Sequence, residues 1–317
     1  MRRGDILQKK EKAGIIIWRF IYPVLIFFGV EILVESVFMY GHMFRMIGSK
    51  AYSFSDMDAM TKELESYIYS VSGYISVIRA AVLVPIFALF MKADVKRDME
   101  YGRHIKYGPY RKAWLLLLPA AGFMAAVGFN HMVPMLLEAV QSFIHVLGRS
   151  VFGMDWNVDF FAKYNELSGI IYSGPVWIMV LSIAVAAPVL EEFLYRGLIF
   201  KRLRTYLKPV PSMLISAFIF GIMHGNAVQF VYAFILGIFM AFVYEKFKTV
   251  WAAVIFHAGA NLTSLVITLL LPEGGYTITM GTYMLLVVAE LAVVFLLLKL
   301  VDVKVDRKPE VSQPKEL

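Results

Sequence analysis

No cysteine occurs in the 317 residues. That excludes a disulfide framework, a thiolate nucleophile and a thiolate metal site. Charge is scarce as well: Asp, Glu, Lys and Arg make up 17% of the chain, against about 25% in soluble domains. No internal repeat is visible, and no low-complexity segment precedes the polar tail that starts at Asp302. The first apolar run is too long for a cleaved signal peptide and no small-residue cleavage site follows it, so it reads as a retained span. What the chain does contain is apolar surface, 59% hydrophobic with a mean hydropathy of +0.67, arranged in several long runs. This is the composition of a polytopic membrane protein. The expected fold class is all-α, with about eight transmembrane helices.

Taken in order, apolar runs at roughly 13–40, 67–91, 113–138, 169–192, 210–224, 228–244, 250–271 and 277–301 read as the eight spans. A basic head precedes the first. Residues 41–65 are polar, 92–112 form a basic loop, and 139–168 form an amphipathic surface loop. Three regions follow: N-terminal helices and loops at 1–168, a catalytic helical core at 169–301, and a polar cytoplasmic tail at 302–317. With the N-terminus in the cytoplasm, the outer loops hold five basic residues (Arg45, Lys50, Lys62, Arg149 and Lys163), Arg19 and Arg79 lie within spans, and the other 24 of the 31 are cytoplasmic. That bias sets the orientation, with both termini inside a bacterial-type cytoplasmic membrane. It also accounts for the net charge of +7 without nucleic acid, because basic segments lie against an anionic leaflet.

Three patterns put chemistry inside these spans. Glu191-Glu192-Phe193-Leu194-Tyr195-Arg196 follows directly on an apolar run. Residues four apart on a helix share a face and neighbours do not, so Glu192 and Arg196 can pair, leaving Glu191 without a local partner. Phe220-Gly221-Ile222-Met223-His224 puts an aromatic ring beside an imidazole, with a glycine that admits a neighbouring helix. His257-Ala258-Gly259-Ala260-Asn261 sets two polar side chains one turn apart with small spacers. Each pattern alone also fits a structural role: an ion cluster, a histidine bonded to a carbonyl, or interhelical glue. The hairpin between 210 and 244 is unusual, since 15 residues from Val210 to His224 fall short of the about 20 needed to cross. Its polar tip, around His224, Asn226 and Gln229, is therefore expected to line an internal wet chamber.

Glu-Glu-x-x-x-Arg, Phe-x-x-x-His and His-x-x-x-Asn, in that order on separate spans, resemble the signature of the CPBP family of intramembrane proteases. That family includes the type II CAAX prenyl endopeptidases and members linked to bacteriocin processing or immunity. The resemblance covers roughly 180–264. It implies an endopeptidase with its active site in an intramembrane cavity, acting on membrane-associated peptides, prenylated or of bacteriocin type. Position by position, it implies Glu191 as the base that activates water, His224 as its partner, and His257 and Asn261 as oxyanion stabilisers. Glu192, Arg196 and Phe220 would support them. The family has been described both as glutamate-type and as metal-dependent. In the latter case Glu191, His224 and His257 would hold a divalent metal such as zinc, a sufficient ligand set with water in the fourth position, although no His-Glu-x-x-His spacing is present. Separately from the resemblance, the cavity is expected to open toward the cytoplasm, because the basic segment 201–208 follows closely on Glu191.

Two other functions stand beside the protease: a non-catalytic immunity or scaffold protein of the same fold, and a proton-coupled transporter using Glu and His as a relay. The absent repeat weakens the second. Of the remaining polar residues, Glu31 and Glu35 share a face and can pair with Arg79. Arg19 is expected to snorkel to the inner face. His131 and Glu290 have no evident partner, and His42, His104 and His145 are expected to be solvated.

Overall fold

The computed structural model describes residues 11–49, 57–101, 115–172 and 174–270, and four positions beyond them, 288, 292, 295 and 299. Among these residues the fold is helical, with no strand. Six helices are long and apolar enough to cross a membrane, and a seventh, apolar one is shorter. The protein is a multi-pass integral membrane protein. The expected eighth span, the polar tail, His104 and Glu290 lie outside the described residues.

Helices α1 (Ala13–Gly48) and α2 (Met57–Glu100) pack against each other. At 44 residues and 1.5 Å per residue, α2 is about 66 Å long, twice the hydrocarbon thickness. It therefore carries on, helical, to Glu100, through half of the region expected to be a basic loop. The reason lies in two buried carboxylates on this extension, Asp94 and Asp98. Asp94 accepts from Arg19 on α1 at 2.9 Å and from Arg202, 108 residues further along the chain, at 2.7 Å. Arg202 also bonds the Tyr22 hydroxyl at 2.7 Å and the Arg19 carbonyl. Arg19 is thus buried in an ion network rather than snorkelling, because the anions come to it. His42 is not solvated either: its ring stacks on Tyr67 at 3.8 Å, with Glu63 3.6 Å away.

Helix α3 (Leu117–Leu147) ends in a wide π turn, Gly148–Phe152, and the short helix α4 (Ala162–Ile171) follows. Then come α5 (Val176–Tyr206), α6 (Pro209–Ile222), α7 (Ala227–Phe247) and α8 (Val250–Leu270). The α3–α8 pair is the tightest packing in the bundle. A Cβ on Gly122 would lie 1.9 Å from the Phe256 carbonyl oxygen, and one on Gly259 would lie 2.2 Å from that of Pro119. The small residues around Gly259 let two backbones touch, as their spacing suggests. Helices α6 and α7 form a hairpin, closed where a Cβ on Gly221 would meet the Phe230 carbonyl at 2.9 Å. Its tip turns through Gly225 at φ 70°, and the Asn226 side chain caps α7 by accepting from the Gln229 N–H at 2.9 Å.

Candidate active site

The site is organised by α5, whose winding is not uniform. Residues Val180–Ala186 and Phe193–Phe200 are π-helical, and Ala187–Glu192 between them is α-helical. Such wide turns concentrate at functional positions. The Ala187 N–H reaches back five residues to the Ser182 carbonyl. The next residue, Pro188, has no N–H, so it cannot serve the Ile183 carbonyl in the same way. Asn261 of α8 does so instead, donating from Nδ2 at 2.8 Å. A proline in one helix thus creates the acceptor that fixes the motif asparagine of another.

The two glutamates of α5 are divided as the helical geometry suggests. Glu192 is fully buried, and its Oε1 accepts from Arg196 at 3.0 Å. Arg196, equally buried, also donates to the Gly237 carbonyl at 3.0 Å and lies over the Phe220 ring at 4.6 Å. The same Glu192 oxygen accepts from His257 Nδ1 at 2.9 Å. This second bond spans 65 residues and was beyond any face argument along one helix. It fixes the imidazole tautomer, with Nδ1 as donor, and turns Nε2 toward Glu191 Oε2, 3.8 Å away. Glu191 keeps 24% of its side chain exposed.

His224 is fixed in a similar way. Its Nδ1 donates to the Phe220 carbonyl at 2.9 Å, which leaves Nε2 as the free ring nitrogen. Phe220 is the shared wall, with edge-to-face contacts to Tyr195 at 5.0 Å, His224 at 4.9 Å and His257 at 5.8 Å. Tyr195, one turn past Glu191, belongs to this aromatic packing, and no sequence signal singled it out.

Glu191, His224, His257 and Asn261 all line one cavity of about 560 Å³. The structure therefore brings together the four residues placed in catalytic roles, and puts Glu192, Arg196 and Phe220 directly behind them. The hairpin tip contributes too, through Val228 and Gln229. The opposite wall comes from outside the motif region. Glu31 of α1 and Arg79 of α2 line the cavity as an ion pair, with the guanidinium 5.4 Å from the Phe27 ring. Tyr164, Ser168 and Tyr172 of the α3–α5 connection line it as well. The cavity thus extends toward that connection, and 201–208 contributes nothing to its lining. Its lining from α5 runs from Ser182 to Glu191 and includes nothing later.

Among the described residues, no group of three His, Asp or Glu side chains converges closely enough to hold a metal ion. Glu191, His224 and His257 share the cavity, but as they stand they do not form the conditional zinc site.

With this geometry in hand, comparison with known proteins is direct. Residues 173–263 match a family described as "Type II CAAX prenyl endopeptidase Rce1-like". This segment is similar to the Rce1-like family. It contains all three motifs, while Glu31, Arg79, Tyr164, Ser168 and Tyr172 of the cavity wall lie outside it. The chain is also 33% identical over 114 residues to "Putative membrane peptidase YdiL" of Bacillus subtilis (strain 168), an alignment covering 36% of this chain and 46% of that protein. No solved structure matches. The Rce1-like segment supplies α5 to α8, while α1 to α4, which carry Glu31 and Arg79, lie outside it.

Proposed function

We propose that this protein is an intramembrane endopeptidase in which Glu191 is the general base. Peptide hydrolysis needs a positioned water, a base beside it and donors aimed at the developing oxyanion. The observation that carries the reading is the asymmetry of the adjacent carboxylates. Glu192 is consumed by Arg196 and His257, while Glu191 faces the cavity. A water between Glu191 and the free Nε2 of His224 would lose its proton to the carboxylate as it attacks the scissile carbonyl. Asn261, with one amide hydrogen beyond that given to Ile183, donates to the oxyanion, and His257, its Nδ1–H held by Glu192, joins it through Nε2 when the ring is an imidazolium carrying a hydrogen on both nitrogens. The proton then passes from Glu191 to the leaving amine.

The substrate is a peptide delivered from the membrane, prenylated or of bacteriocin type, that bends into the cavity between Glu191 and the Glu31–Arg79 wall. A glutamate mechanism suits these residues better than a zinc one, because Glu191, His224 and His257 share the cavity without converging as a ligand set. The N-terminus is cytoplasmic in this reading. Comparative peptidomics of membranes carrying the wild-type or the Glu191→Ala protein tests it. Peptides that depend on Glu191 should disappear from the variant. Identical peptide sets at equal expression would end the proposal.

A further inference from the structure

A second cavity, of about 760 Å³, lies at the other end of the bundle, between α2, α5 and the α7–α8 connection. Four cations line it, Lys92, Lys201, Arg204 and Lys248, against two carboxylates, Asp98 and Glu245. Arg204 and Lys248 both pair with Glu245, at 3.1 and 2.6 Å. Lys248 is the one non-glycine residue with positive φ among the described residues, at 52°. Such left-handed backbone is held against its own preference and concentrates at sites with a function. Here it turns the chain between α7 and α8 so that Lys248 joins the cavity wall.

The other wall is apolar, made by Met91, Phe193 and Trp251. Trp251 is 51% exposed and packs edge-to-face on Phe193 at 5.5 Å. A half-exposed tryptophan at a helix end is an interfacial anchor, so the apolar wall reaches the outer surface of the bundle at Trp251. Cations at one side and an apolar wall running out to the lipid face match one kind of molecule. A soluble anion has no use for the apolar wall, and a neutral lipid has none for the surplus cations.

We propose that this cavity binds the phosphate headgroup of an anionic membrane lipid, with Lys92, Lys201 and Arg204 contacting the phosphate and the first acyl carbons lying along Met91, Phe193 and Trp251. Arginine grips phosphate through its planar fork and lysine as a point charge. The site does not depend on the catalytic reading, since it shares no residue with the cavity of Glu191.

The test uses the full chain purified in a non-ionic detergent, with bound lipids counted by native mass spectrometry. The probes are dioleoyl phosphatidylglycerol, dioleoyl phosphatidylcholine and inorganic phosphate. One phosphatidylglycerol should be retained in preference to phosphatidylcholine. Lys92→Gln and Lys201→Gln should each weaken it about fivefold, the effect of one basic residue near an anionic lipid. Lys92 is on the exposed surface of α2, so its variant will fold. Lys208→Gln, exposed at the same end but outside the cavity, should change nothing. Equal retention of the two lipids, or a Lys208→Gln effect as large as that of Lys92→Gln, would overturn the site. Displacement of the lipid by millimolar inorganic phosphate would show a free-anion site and overturn the assignment to lipid.

Discussion

Replacing either of two adjacent glutamates by alanine should produce opposite defects. Glu192→Ala strips the fully buried Arg196 of its hydrogen-bonded carboxylate, leaving the guanidinium with the Gly237 carbonyl and the face of Phe220. Breaking a buried pair from one side costs about 3–5 kcal/mol, because the remaining charge stays desolvated. His257 also loses the acceptor for Nδ1, worth roughly 1.5–3 kcal/mol for a hydrogen bond to a charged group. The two costs overlap at one oxygen, so the total should sit near the top of the first range, about 5 kcal/mol. Glu191→Ala removes a cavity-facing side chain with no hydrogen bond among the described residues closer than the 3.8 Å approach of His257. Its stability should stay within about 0.5–1 kcal/mol of wild type while hydrolysis is lost. Reversible unfolding in mixed micelles, followed by tryptophan fluorescence, measures the first effect, and peptide release measures the second. The double variant Glu192→Met/Arg196→Met separates charge from shape: with no orphaned ion it should be clearly more stable than Glu192→Ala. A Glu192→Ala protein that unfolds like wild type, or a double variant less stable than the single one, would refute the reasoning.

Other outcomes follow from the same geometry. Asn261→Ala should lower the hydrolysis rate about 10²–10³-fold, as the loss of an oxyanion donor does, with little change in KM; a drop under threefold in a kcat measurement would remove Asn261 from that role. Gly259→Ala pushes a methyl into the Pro119 carbonyl and should destabilise the α3–α8 contact by about 1–3 kcal/mol or more, read in the same unfolding assay. Treatment with a strong chelator should leave activity unchanged, and activity restored by added zinc after such treatment would replace the glutamate mechanism with a metal one. Because the chain has no cysteine, single cysteines report sidedness cleanly. Ser168→Cys in intact cells should react with a membrane-impermeant maleimide and Lys208→Cys should not; the reverse labelling would invert the proposed orientation.

The motif residues were legible in the sequence because hydrocarbon makes Glu, His and Asn expensive, and three such groups on three apolar runs must meet something. The Glu192–Arg196 pair was legible because it lies within one turn. The hydrogen bond from His257 to Glu192 was not, since nothing local in either helix refers to the other. The Ile183–Asn261 bond left a trace, a proline five residues after the carbonyl it frees, but inside an apolar run that proline reads as no more than a possible kink. The length of α2 was misread because polarity ends a membrane span without ending a helix. Arg19 and Arg202 hold that extension through Asp94, and only the fold shows them converging.

The uneven winding of α5 sets a strict limit on how this chain can change. Each residue added to or removed from Val180–Ala186 rotates everything after it by about 100°. One deletion would carry Glu191 out of the water space, swing Glu192 away from His257 on α8 and pull Arg196 off the Gly237 carbonyl of α7. Substitutions in this stretch would be tolerated wherever they stay apolar, but changes of length would not. Its counting, more than its chemistry, is what descent has to preserve.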